Sequence, residues 1–431
     1  MEIMNYSKAS YQMSLKNIVV FVRGHNDFDH VLPILDYLIK EKLQNVTILS
    51  HLYVNDKCKK HIAYVKKELN KDVIDFNSMY LSSVDKMLLR VVEVLNKDFH
   101  CKFGFLCIFF DLLKTNLRRL CHIVVSISVR KFIKSLPNNT IILADFGTEN
   151  QFPYKYLIKY SNFFDIPIIA YLHGFYVFDN IDPIGVKTIE NRKWLVNFIN
   201  KYLFGRGNRK HYDRYLVGPN QKDKYFCSDL YRNFTEVSRV VEIGVPRFTL
   251  EWVNKFSNIN TCNEKKISDN LKVALFVSNT KFGVNTKYLN SMINQLVATS
   301  GVDLKIVPHT RSGATSLGSN VSFVTKENSS EVIHWADVGI VYGTSIIFEM
   351  LVKGVTVIIP KFIDNNVTVF EGKNICIEVD SINDLIDCIH NLKPINNRFL
   401  DIFIKEYVYG GFDTYKELMD EFYFNILSES K

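Results

Sequence analysis

ADVGIVYGTSIIFEMLVKGVTVIIP, residues 336–360, carries the pattern from which the fold of this chain follows. Val338 to Val341 is a short, wholly apolar run, the mark of a strand buried on both faces in a parallel sheet. Gly343 supplies a turn, a short helix runs from about Ser345 to Lys353, Gly354 ends it, and VTVIIP is the next strand. A strand, a hydroxyl-bearing turn, a helix and a second strand make a βαβ unit whose helix begins at the carboxyl end of a strand. Free backbone N–H groups there, with the hydroxyls of Thr344 and Ser345, can hold an anion such as a nucleotide phosphate. The same hydroxyls can also do no more than cap a structural helix, so the rest of the chain must decide.

Working outward, the alternation repeats. LKVALFVSNT, residues 271–280, is a strand, KYLNSMINQLVATS a helix, and LKIVPHTRSG a strand ending in Pro308-His309-Thr310-Arg311. Beyond Pro360, ICIEV (375–379) is a further strand and the chain is helical from Ser381. At the other end, KNIVVFVRG (16–24), the helical HNDFDHVLPILDYLIKEK and the strand NVTILSHL form an opening βαβ unit. Its loop, Arg23 to Asp29, lies at a carboxyl strand end, where open α/β sheets gather ligands. His25, Asp27 and Asp29 are candidates for substrate contact or for capping the helix that follows. NNTIILADFGTEN (138–150) runs straight into Asp145 and Glu149, and IPIIAYLHGFYVFDN delivers His173 and Gly174. Two successive βα units thus bring carboxylates and an imidazole to one sheet edge, a grouping typical of catalytic sites.

At 431 residues the chain is too long for one ordinary core, so two domains are expected. The polar stretch 257–270 is the best linker, with the boundary near residue 255. The fold class is α/β, two Rossmann-like domains facing each other across a cleft. A formal charge of +8 suits an anionic substrate or an anionic membrane surface, and no nucleic-acid motif accompanies it. The eight cysteines include no C-x-x-C pair, which argues against a zinc site or a disulfide framework and for a reducing, cytoplasmic setting. No run approaches the ~20 apolar residues of a membrane span. Residues 103–133 mix large apolar side chains with Lys114, Arg118, Arg119, Arg130 and Lys131; they read first as a buried helix pair, and otherwise as a basic amphipathic segment on a membrane.

In order along the chain stand His173-Gly174, Gly244-Val245-Pro246-Arg247, Val277-Ser278-Asn279-Thr280, Pro308-His309, and Asp337 through Thr344-Ser345. With these over about residues 140–360, the chain resembles the bacterial surface-polymer glycosyltransferases of the two-Rossmann-domain (GT-B) class, most closely the CDP-glycerol glycerophosphotransferase and capsule-polymer transferase group. Thr310 after His309, and Thr344 in place of a first serine, depart from that group's pattern. The resemblance implies a metal-independent, inverting transferase with no resident cofactor. Its donor is a CMP- or CDP-linked acidic sugar or polyol phosphate, and its acceptor a glycan or glycolipid at the cytoplasmic face of the inner membrane. It also implies donor contacts from His309, Arg311, Thr344, Ser345, Glu349, Ser278 and Asn279 in the second domain, with Arg247 in the cleft. The acceptor's base is then His173, or a carboxylate, Asp145 or Glu149. A nucleotide-sugar epimerase of the same fold and a non-catalytic glycan-assembly subunit are the competing readings.

Overall fold

The computed structural model describes residues 15–51, 58–96, 104–146, 149, 151–171, 174–179, 211–227, 237–258, 269–278, 283–308, 322–392 and 397–428. Two parallel sheets organise it. The first joins β1 (Asn17–Val22), β2 (Asn45–Ser50), β3 (Val73–Asp75), β4 (Thr140–Asp145), β5 (Ile168–Tyr171), β6 (Arg214–Val217) and β7 (Val240–Glu242) in the order β3-β2-β1-β4-β5-β6-β7. The second joins β8 (Leu271–Phe276), β9 (Val302–Val307), β10 (Val338–Val341), β11 (Thr356–Pro360) and β12 (Ile377–Val379) in the order β12-β11-β10-β8-β9. Continuous apolar runs make this possible: β4 and β10 are buried along their whole length, as strands covered by helices on both faces must be.

The helices are α1 (His25–Lys40), α2 (Lys59–Glu68), α3 (Phe76–Tyr80), α4 (Ser83–Asn96), α5 (Gly104–Ser135), α6 (Tyr154–Phe163), α7 (Lys222–Cys227), α8 (Leu250–Asn258), α9 (Thr286–Ala298), α10 (Ser329–Trp335), α11 (Ile346–Val352), α12 (Ile382–His390), α13 (Asn397–Tyr407) and α14 (Tyr415–Leu427). Two departures from the sequence reading concern this list. Residues 104–135 are a single helix of 32 residues rather than a buried pair, lying beside α4. The three-residue edge strand β3 lies between His51 and His100, a stretch whose charge and spacing predict mostly helix.

Strand order fixes where a ligand can sit. In each sheet the order reverses once, between β1 and β4 and between β8 and β10, the place where open α/β sheets form a ligand crevice at the carboxyl ends of their strands. The two edges meet. Gly343, just past β10, adopts φ +57°, and a Cβ there would stand 3.0 Å from the Phe178 ring, which follows β5.

After the second sheet the chain returns to the first. The Tyr37 hydroxyl and Lys42 Nζ each donate to Asp420 Oδ1 at 2.6 Å, and Arg214 donates to the Asn425 carbonyl at 2.8 Å. At the start of that return two backbones touch: a Cβ on Gly244 would lie 2.5 Å from the Val408 carbonyl oxygen and 2.7 Å from the Tyr409 carbonyl carbon. Gly410, at φ +64°, faces it from the other side.

Candidate functional site

At the crevice of the first sheet, Arg23 follows β1 and stands between two carboxylates. Its backbone N–H donates to Asp27 Oδ2 at 2.7 Å, its Nε lies 3.3 Å from the same oxygen, and its outer nitrogen pairs with Asp145. Asp145 is fully buried. Burial alone would make the guanidinium less basic, but Asp145 and Asp27 outweigh it and hold Arg23 firmly charged. The sequence places Asp27 and Asp145 each at a carboxyl strand end, and the structure makes those strands, β1 and β4, neighbours. The structure closes them around a cation, so the Asp145 carboxylate is already committed to Arg23. Glu149 is half-buried in the loop beyond. His173 lies outside the described residues, while its neighbour Gly174 is placed so that a Cβ there would stand 4.0 Å from His30 Nε2.

At the crevice of the second sheet the Ser278 hydroxyl is buried and donates to the Gly343 carbonyl at 3.3 Å, tying the β8 and β10 loops together. Thr344 and Ser345 are half-exposed beside it. Ser345 is the N-cap of α11, yet its side chain makes no capping hydrogen bond, and its backbone is already helical at φ −69°, ψ −6°. Capping is therefore not what this hydroxyl does in the structure. His309, Arg311 and Asn279 lie outside the described residues.

Between the sheets a polar cluster gathers residues from both. Arg247, in the 3-10 turn Pro246–Phe248, places a terminal nitrogen 3.0 Å from Asp29 Oδ2 and donates to His30 Nε2 at 3.3 Å. His61 Nε2 lies 2.6 Å from Asp29 Oδ1, and His25 Nδ1 lies 3.3 Å from Oδ2. From the second sheet's helices, Ser330 donates to Glu349 Oε1 at 2.8 Å. Asp29, His61, Arg247, Trp252, Ser330 and Glu349 line one cavity. Ligand atoms of His25, Asp29 and His61 lie within 4.8 Å of one another, a spacing that a metal ion could use. Arg247 already neutralises the shared carboxylate, so the chemistry of this group is that of an ion-pair network rather than a cation site.

Two carboxyls here, Asp29 largely buried and Glu349 buried, move in opposite directions. Burial opposes ionisation of Asp29, but Arg247 and His61 overcome it and hold its carboxyl far below the usual range. Burial pushes the Glu349 carboxyl up, with Arg247 and Ser330 opposing. A carboxyl lowered on folding stabilises the fold above its ordinary value, near 3.9 for Asp, and that contribution is lost on acidification. A carboxyl raised on folding stabilises fully below its ordinary value, near 4.3 for Glu, and the contribution is lost as pH climbs through the raised value. Glu349→Gln still accepts from Ser330 and never ionises. Its melting temperature relative to the unsubstituted protein is therefore expected to rise as pH climbs above the ordinary Glu value, near 4.3. A difference that stays flat with pH would refute this ionisation.

His25 and Arg247 stand in this cluster around Asp29, whereas Asp27 stays with Arg23 at the crevice of the first sheet. His61 and Ser330 carry no sequence signal of their own: His61 sits in an ordinary amphipathic helix, and Ser330 follows the N-cap of α10. Only the i,i+4 spacing of Arg23 with Asp27 and of His25 with Asp29 is readable in advance.

No protein-family description matches the chain, and no curated sequence does either. Solved structures do match. The glycosyltransferase of kitacinnamycin is 12% identical over 95% of this chain and 99% of that one, with a TM-score of 0.54. UDP-GlcNAc 2-epimerase of Neisseria meningitidis is 11% identical over 96% and 100%, with a TM-score of 0.51. Both likenesses run the full length, and with the two parallel sheets they define the fold as GT-B, two Rossmann-like domains across a cleft. The wall teichoic acid polymerase TagF reaches only 0.47 at 13% identity over 95% of this chain and 89% of that one, which does not place the chain in the glycerophosphotransferase group.

Proposed function

We propose that this chain is a glycosyltransferase using a nucleotide-activated donor, a CMP- or CDP-linked acidic sugar or polyol phosphate. It would act in synthesis of a bacterial capsule, O-antigen or related surface glycan. The observation that carries the reading is the pair of half-exposed hydroxyls at the crevice of the second sheet, with Ser345 at an N-cap position it does not cap. In this reading Thr344 and Ser345 hold the donor phosphates, joined by His309 and Arg311, and Arg247 faces them from the first domain. Charge that grows on the leaving nucleotide is met by these donors without a metal. Glu349, whose carboxyl burial pushes up, stands one helical turn beyond Ser345 and is offered to a ribose hydroxyl. The acceptor's proton goes to His173; the enclosure of Asp145 beside Arg23 supports the imidazole over that carboxylate.

A thermal-shift panel of CMP, CDP, UDP and GDP tests the reading, because a ligand at a hundred times its Kd adds about 2.7 kcal/mol of apparent stability. A cytidine nucleotide is expected to give the largest shift. Thr344→Val with Ser345→Ala is expected to weaken it by at least tenfold in Kd, the loss of one or two hydrogen bonds to a charged group. No shift with any of the four would remove the donor site. The epimerase reading keeps a place because a UDP-GlcNAc 2-epimerase shares the whole fold. Incubation with UDP-GlcNAc and no acceptor separates the two: an epimer formed under those conditions would displace the transferase.

A further inference from the structure

Among the described residues, one face of the first domain carries a continuous exposed apolar stripe. Along α5, Leu113, Leu117, Leu120, Val124 and Ile127 recur at alternating steps of four and three, a single stripe on a helix, and they are between 40% (Leu117) and 60% (Leu120) exposed. The opposite side of the helix, with Val125, Val129, Phe132 and Ile133, is buried in the core. Continuing the same steps, the next two positions of the stripe are Lys131 and Lys134, both exposed. α4 repeats the device with Val84, Met87, Val91 and Val94, all exposed. Its first turn is tied to α5 by the Ser128 hydroxyl, which donates to Asp85 at 2.7 Å.

Length says where this face points. α5 spans 32 residues, about 48 Å, whereas the six residues of β4 span about 20 Å. The helix enters β4 at the amino end of the strand, so its surplus lies beyond the carboxyl edge of the sheet. His122 marks the level of that edge, stacking on Phe152 in the loop after β4 at 5.3 Å between centroids. Leu113, Leu117 and Leu120 therefore stand past it, on the side where Arg23, Asp145 and the interdomain cavity open.

We propose that the α4–α5 hairpin seats the protein on an anionic phospholipid surface, holding the mouth of the cleft against it. Charge selects this occupant. From Leu113 to Ser135 the helix carries Lys114, Arg118, Arg119, Arg130, Lys131 and Lys134 and no acid, with Lys155 and Lys159 on the adjacent α6. Two copies packed along the same stripe would desolvate Lys131 and Lys134 in a seam and bring two cationic helices together. A lipid surface takes the leucines into its acyl boundary and leaves the lysines among phosphates. Among the described residues no helix is long and apolar enough to cross a membrane, so this face lies on the bilayer rather than through it.

Co-sedimentation with vesicles of phosphatidylglycerol and phosphatidylcholine, against vesicles of phosphatidylcholine alone, tests the seat. The protein is expected to bind the anionic vesicles and to release them as salt rises. Leu117→Glu with Leu120→Glu, and separately Lys131→Glu with Lys134→Glu, are each expected to lower binding at least tenfold while the melting temperature holds. No binding, or equal binding by the variants, overturns the proposal. So does a dimer by light scattering that the leucine variants dissociate without any vesicle binding, which would assign the face to a second copy. The assay holds neither donor nor acceptor, so its outcome is separate from that of the transferase reading.

Discussion

Gly244→Ala is expected to destabilise the protein by about 3 kcal/mol, the upper end for overpacking, because two of the three nearest atoms in the way are backbone and the third, Leu418 Cδ1, belongs to a fully buried side chain. The added methyl would meet the Val408 carbonyl oxygen at 2.5 Å, and neither side of the contact has a side chain that can rotate aside. Val245 N–H donates to the same carbonyl at 2.6 Å, so separating the backbones also breaks a hydrogen bond in a buried turn. The shift of the first urea transition measures the effect, and a midpoint equal to that of the unsubstituted protein would show that the two segments part freely. The glycine of the G-V-P-R turn is thus explained by packing, independently of any ligand.

Arg247→Ala is the second large effect. It removes the cation shared by Asp29 and Glu349 and leaves the Asp29 carboxylate with only imidazoles beside it. The pair is 20% and 12% exposed, and breaking such a largely buried pair from one side costs about 3 kcal/mol, the low end for buried pairs, mostly through the charge left behind. Asp29→Asn on the Arg247→Ala background removes that orphaned charge and is expected to restore more than half of the loss. Two losses that simply add would mean the residues are not coupled. In the transferase reading the arginine also faces the donor, so nucleotide affinity falls in Arg247→Ala and is not restored by the second change.

The βαβ unit at residues 336–360 is legible because a parallel strand covered on both faces must be a continuous apolar run, and glycines at 343 and 354 mark its turns at φ +57° and +72°. β3 is not, since three residues at a sheet edge carry no periodicity. The 32-residue helix reads as a pair because its outer face is apolar as well, which blurs the one-sided pattern that marks a surface helix. Within the site, strand ends locate Asp145, Ser278 and Thr344 correctly at carboxyl edges. What Asp145 and Ser278 do there depends on neighbours distant in sequence: Arg23 for one, the Gly343 carbonyl for the other. His61 reaches Asp29 only because α2 packs on α1, a fact of tertiary structure alone.

The returning helix α14 also orders events in time. On the ribosome the strands of the first sheet emerge well before residues 415–427, yet Tyr37, Lys42 and Arg214 have their partners in that late segment. The surface of the first domain therefore stays open through synthesis of the entire second domain. Cutting the chain between the sheets would strand that surface permanently, so the two halves are best obtained together, and a nascent chain stalled before residue 415 would be a natural target for chaperones.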